Sequence, residues 1–205
     1  MYPKLKSLCE EIAKQTETIS AERKQKLHEL FEVLKREIEF QKPVNLVFVC
    51  THNSRRSHFA QIWWETLHYY LKLNFFETFS AGTEVTRIHQ NTLQTLALQG
   101  FQLKELTKTE NPSIEVALSD EKKTICFSKL IQDASIKTPY IAIMTCGHAE
   151  ENCPYIPEAK QRFALTYSDP KKSDGTPEQD SVYEERSLTI ATEAFYVLSR
   201  LKATK

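Results

Sequence analysis

The chain predicts an α/β fold, a three-layer sandwich with a mostly parallel central sheet, preceded by an N-terminal helical extension. Three observations predict it. Residues 4–40 contain neither Gly nor Pro and repeat their apolar side chains at helical spacing. From residue 44 onward, short apolar and β-branched runs alternate with helical patterns, the βαβα order of a parallel sheet. The length, 205 residues, suits one domain of this class, alone or with an extension.

Leu5, Leu8 and Ile12, then Leu27, Leu30, Phe31, Leu34 and Ile38, follow the i, i+3, i+4, i+7 spacing of two amphipathic helices. Ser20 is placed to cap the second, with Glu22 and Arg23 in its first turn. That helix is expected to stop at Gln41-Lys42-Pro43, because the residue before a proline is pushed out of the α region. A boundary follows, with a helical extension over 1–42 and a second domain over 43–205. VNLVFVC (44–50) reads as a buried parallel strand, 57–72 as a helix, 75–82 as a strand, and 89–100 as a helix closed by Gly100. SIEVALSD and KKTICF, within 113–127, predict a strand–turn–strand pair, and YIAIMTC (140–146) another strand. A last helix is expected over 178–202, acidic early and basic late as the helix dipole favours. Trp63 and Trp64 fall to the core or to a dimer seam.

Composition closes off several functions. Lys plus Arg number 27 and Asp plus Glu 27, so no basic excess marks a nucleic-acid or anionic-membrane binder. No apolar run approaches the ~18 residues of a membrane span, and the first residues lack the apolar stretch of a secretory signal, so a cytoplasmic protein is expected. The cysteines, at 9, 50, 126, 146 and 153, are odd in number and unevenly spaced. In a reducing compartment that points to free thiols, catalysis or metal.

Cys50 closes the first predicted strand, and Arg56 follows after five residues at the start of a helix. A strand-to-helix loop turns its backbone N–H groups inward at the positive end of the helix dipole, which makes a cradle for a phosphate-sized oxyanion. The same groups and Arg56 favour a thiolate, so Cys50 is the candidate nucleophile. Arg56 can grip two oxygens at once, a geometry that lysine lacks. Thr51, His52, Asn53, Ser54, Arg55 and Ser57 make up the rest of the cradle, with Ser57 placed to hydrogen-bond the sulfur. Asp169, before Pro170, offers a carboxylic acid to protonate a leaving oxygen. Blander meanings stand beside these, since a Cys ending a buried strand can be a small hydrophobe and Asp-Pro opens turns. Cys9 and Cys126 lack any motif and fall to packing or surface.

The run VNLVFVCTHNSRRSHFAQ, the later FSAG and Asp169-Pro170 resemble the low-molecular-weight protein tyrosine phosphatase superfamily over residues 43–205. Within it, TCGHAEENCPYIP resembles the thioredoxin-coupled arsenate reductases, in which a second Cys ends a later strand and a third lies seven positions on, before a Pro. The resemblance implies that Cys50 attacks arsenate with Asp169 assisting. Cys146 then attacks the sulfur of Cys50 and releases arsenite, Cys153 resolves the disulfide to Cys146–Cys153, and thioredoxin reduces that bond. Such a relay needs the middle sulfur to move, so 146–156 is expected to be redox-sensitive and partly helical when reduced. Some reductases of this type bind a monovalent cation near the loop; Asn53 and Ser80 match their ligands, and Gln61 stands where they have an acid. No cofactor is expected. Two positions depart from the pattern. His52 replaces a Gly and is expected to shift the loop or lean over the oxyanion, and Arg55 replaces a loop Cys and either recruits anions or faces solvent.

Other readings compete. Cys146, His148 and Cys153 form a partial zinc set at a spacing unusual for zinc. A tyrosine phosphatase would use the same cradle and acid on phosphate esters, although no tyrosine adjoins Asp169-Pro170 and Lys171-Lys172 suits a small anion better. A non-catalytic module would bind oxyanions or phosphopeptides and recruit partners through its N-terminal helices, whose stripes otherwise cover the chain's own core or form a homodimer seam.

Overall fold

The computed structural model describes residues 1–40, 43–152 and 156–204. The chain opens with α1 (Pro3–Gln15), a short 3-10 turn (Thr16–Thr18) and α2 (Ala21–Phe40). Ser20 caps α2, its Oγ accepting the backbone N–H of Arg23 at 3.2 Å. The helix is followed to Phe40; the stop expected at 41–42 lies outside the described residues.

Then come β1 (Val44–Cys50), α3 (Arg56–Tyr70), β2 (Phe76–Gly82), α4 (Gln90–Leu98), β3 (Gln102–Glu105), β4 (Ile114–Ala117) and β5 (Lys123–Cys126). The chain continues through β6 (Tyr140–Met144), α5 (Gly147–Asn152), β7 (Ala159–Ala164), a 3-10 turn (Pro170–Ser173) and α6 (Gln179–Ala203). The central sheet has the order β2-β1-β6-β7, and every pairing in it is parallel. The pair expected at 113–127 is β4 and β5, which join β3 in a separate antiparallel sheet. Neither β3 nor β7 has a sequence signal. KQRF in β7 is polar and only partly covered at the sheet's edge, so it lacks the apolar run that marks a buried strand.

Strand alternation sorts the core into two layers. Leu46, Phe48, Ile141 and Ile143 face α3 and α6, with α1 and α2 packed beyond. Leu5, Cys9 and Ile12 of α1 and Leu27, Leu30 and Leu34 of α2 are fully buried in that same cluster. Trp63 meets Phe101 edge-on and Trp64 packs on Phe48 and Phe76, which places both indoles in the core. On the opposite face Val47, Val49, Ala142 and Met144 meet Ile131, Ile136, Ala149 and Ile156. Gly100 ends the α4 turn at φ +102, and a side chain there would press on the backbone of Leu5, so α1 approaches closely only because this residue is glycine.

Candidate active site

β1 and β6 are neighbours in the sheet, and their carboxyl ends carry Cys50 and Cys146. Cys50 is buried, and its Sγ lies 3.1 Å from Ser57 Oγ at the start of α3. Asn53 Nδ2 donates to the same Ser57 oxygen at 2.8 Å. Ser57 therefore accepts from Asn53 and keeps its own O–H to offer the sulfur, a bond that strengthens when the sulfur is a thiolate. Among the described residues, no acceptor takes the backbone N–H groups of His52, Asn53, Ser54 or Arg55. The loop that follows Cys50 thus holds four backbone donors without partners among the described residues, as an anion-binding nest requires.

The left-handed position of the loop is Asn53, at φ 43, and not His52. Asparagine tolerates that region far better than most residues, so the loop turns without the glycine expected at 52. The His52 ring instead lies 3.4 Å from the Glu84 carboxylate at the surface. Gly82 supplies the space: a Cβ there would fall 2.6–2.8 Å from Glu84 O, Thr51 O and Asn53 N, so β2 and the loop touch backbone to backbone. Ser54 Oγ donates to Arg87 O at 2.7 Å and ties down the far side.

Behind the loop, His58 Nε2 lies 2.9 Å from Asn53 O and its Nδ1 3.1 Å from Ser80 Oγ. Burial, with the Lys129 ammonium adding to it, pushes His58 down to about 3, so the ring is neutral. Since a carbonyl only accepts, Nε2 carries the hydrogen and Nδ1 accepts from Ser80. Lys129 is itself buried. Its Nζ donates to Ser80 O (3.4 Å) and Phe127 O (3.3 Å) and stands 4.1 Å over the Phe127 ring, while its backbone N–H reaches Asn53 Oδ1 at 2.9 Å. The Ser80 carbonyl and the Asn53 side chain, which matched cation ligands, are thus engaged by this lysine.

Arg56 NH1 donates to Tyr167 O at 3.0 Å and NH2 to Asp169 Oδ2 at 2.6 Å, while its buried Nε has no partner among the described residues. Asp169 Oδ1 caps the Pro170–Ser173 turn through the Lys171 N–H. Arg55 is neither free nor solvent-facing. It donates to Tyr183 OH and to Asp174 Oδ2 (2.7 Å), and Tyr183 OH donates to Asp174 Oδ1 at 2.7 Å. Burial acts to raise the Asp174 carboxyl, but the Tyr183 hydrogen bond and the Arg55 guanidinium outweigh it and hold it below the usual range. The loop arginine thus joins the phosphate-type loop to the segment that carries Asp169.

Cys146 is buried, with Sγ 3.5 Å from Thr51 Oγ1 and accepting the Ala149 N–H at 3.3 Å. Thr51 Oγ1 also lies 3.2 Å from His148 Nδ1. The side chain next to Cys50 therefore touches the second thiol. Cys153 lies outside the described residues; α5 fills the helical part of the segment in which it was expected. Cys9 and Cys126 are fully buried in the core, and burial raises both thiols to about 12.

No protein-family model matches the chain. It is 27% identical over 134 residues to the arsenate reductase of Halalkalibacterium halodurans, an alignment spanning 65% of this chain and 79% of that one. With the arsenate reductase of Bacillus licheniformis it shares 26% over 141 residues, 69% of this chain and 84% of that one. The low-molecular-weight protein tyrosine phosphatase of T. tengcongensis superposes with a TM-score of 0.54 at 18% identity, covering 77% of this chain and 99% of that one. The sequence is thus similar to arsenate reductases, and the fold is that of the low-molecular-weight protein tyrosine phosphatases. Both likenesses support an enzyme of one of the two kinds expected.

Several residues around the site carry no sequence signal. Lys129 sits in an unremarkable FSKL, and Asp174 and Tyr183 meet Arg55 across more than a hundred residues. Only His58, inside the helix that opens at Arg56, was within reach of pattern reasoning, as a histidine on a buried helix face.

Proposed function

We propose that the protein is an arsenate reductase. The observation that carries this reading is the second buried thiol, Cys146, at the end of the strand beside that of Cys50 and in hydrogen-bond reach of Thr51, the next residue in the loop. A phosphatase needs one thiol; a reductase needs another within reach of the first.

In this reading arsenate enters the nest of backbone N–H groups over 51–57, with the Arg56 guanidinium on its oxygens. The Cys50 thiolate, favoured by Ser57, attacks arsenic. Asp169 gives a proton to the departing oxygen, and a Cys50 thiol–arsenate adduct forms. Cys146 as thiolate then attacks the Cys50 sulfur: an S–S bond forms, the S–As bond breaks, and its electron pair leaves with arsenic as arsenite. Cys153 displaces Cys50 from Cys146, which regenerates the nucleophile and leaves Cys146–Cys153. Thioredoxin is the proposed reductant of that disulfide. Curated relatives named arsenate reductase support the reading.

A second reading has its own support. Cys50, Ser57, Arg56 and Asp169 together suffice for hydrolysis of phosphate monoesters through a Cys50–phosphate intermediate. Arsenate turnover with a thioredoxin system, and p-nitrophenyl phosphate hydrolysis, separate the two when measured on wild type, Cys50→Ser and Cys146→Ser. Reductase expects arsenate turnover that both substitutions abolish. No arsenate turnover, with ester hydrolysis intact in Cys146→Ser, would establish the phosphatase instead.

A further inference from the structure

The segment bearing Asp169 is held from a direction the chemistry does not require. Tyr167, two residues earlier, gives its carbonyl to Arg56 NH1 (3.0 Å), takes its own N–H to Thr145 O (3.0 Å), and is buried. Its hydroxyl donates to Glu193 Oε2 at 2.8 Å. Glu193, on α6, is 5% exposed, a carboxylate that needs a counter-charge. Arg23, in the first turns of α2, supplies it: Nε meets Oε1 at 2.7 Å and NH2 meets Oε2 at 2.8 Å. The guanidinium also lies 4.9 Å from the centre of the Tyr167 ring. The fork therefore fixes the carboxylate and covers the ring that the carboxylate holds. Burial and the neighbouring Glu193 raise the Tyr167 hydroxyl, which stays a donor.

We propose that Arg23 is a positioning residue, and that through Glu193 and Tyr167 the N-terminal helices brace the segment that presents Asp169 to Arg56. The chemical consequence rests on the reading of Asp169 as acid; the brace itself does not. Without Arg23 a buried carboxylate is left uncompensated, and its remaining partner is the tyrosine that sets the path of the Asp169 segment.

Deuterium uptake of the peptide covering 166–172, together with kcat and KM for arsenate, tests this on Arg23→Met, Arg23→Lys, Val33→Ala, Asp169→Asn and the Arg23→Met/Asp169→Asn double variant. Val33 is buried on the same helix, so its truncation weakens α2 without touching the network. Arg23→Met is expected to raise uptake at 166–172 and lower kcat roughly ten- to a hundredfold with KM near wild type, the cost of a slightly misplaced catalytic group. Arg23→Lys, which keeps the charge and loses the fork, recovers part of both. Val33→Ala leaves both unchanged, and Arg23→Met adds nothing on the Asp169→Asn background. Wild-type uptake in Arg23→Met, or an equal rise in Val33→Ala, overturns the brace. If Asp169→Asn itself keeps full turnover, the acid role fails, and the uptake measurement still decides the brace.

Discussion

At the scale of single residues, the site is built from side chains that substitute for what the loop pattern lacks. Asn53 takes the left-handed turn, Gly82 opens the space from the neighbouring strand, and Lys129 places an ammonium among carbonyls where a small cation would otherwise be attractive. An internal cation makes an external one redundant. Turnover is therefore expected to be the same in potassium, sodium and choline chloride at equal ionic strength. Lys129→Met, which removes the donor from the buried Ser80 carbonyl and the part-buried Phe127 carbonyl, is expected to cost about 1–3 kcal/mol in unfolding free energy and to slow turnover. A marked potassium requirement in the wild type would sink this account. Cys50 and Arg56 were legible because one short loop holds them at fixed spacing. Lys129 was not, because its role depends on burial, which no local pattern encodes.

At the scale of elements, continuous apolar runs made β1 and β6 readable, helical periodicity did the same for α1 and α2, and the acidic-to-basic charge gradient did so for α6. β3 and β7 escaped because edge strands half open to water need no such run. The contact between β2 and the phosphate-type loop is the most constrained junction. Gly82→Ala forces a methyl within 3 Å of three backbone atoms, so one strand or the loop must retreat. Overpacking of this kind costs about 1–3 kcal/mol, and here the shift falls on the nest of N–H groups beside Cys50. Phosphate or vanadate affinity is expected to drop at least tenfold, more steeply than the melting temperature; unchanged oxyanion affinity, measured by calorimetry, would show that the loop absorbs the methyl elsewhere.

At the scale of the whole molecule, acid stability follows from groups buried in one charge state. His58 has a folded pKa of about 3 against an ordinary 6.5, so below 6.5 the unfolded chain binds a proton that the native chain refuses. Stability is lost as pH falls from 6.5 towards 3, by up to about 1.4 kcal/mol per pH unit from this group. Asp174, held below the usual carboxylate range, adds a loss in the same direction as pH falls through its folded pKa. Chemical unfolding at pH 6.5 and pH 4.5 is expected to show a smaller difference in His58→Gln than in the wild type; an equal difference would shift the acid sensitivity to other groups. The same scale gives α6 a role beyond covering the sheet. Tyr183 and Glu193 lie ten residues apart on it, about 15 Å along a helix, and grip Asp174 and Tyr167, the two ends of the stretch that contains Asp169. The helix acts as a gauge: it dictates how much chain fits between its two grips. A residue added or removed between 168 and 173 cannot be absorbed locally, because the spacing of the anchors is set by helical pitch and not by the loop.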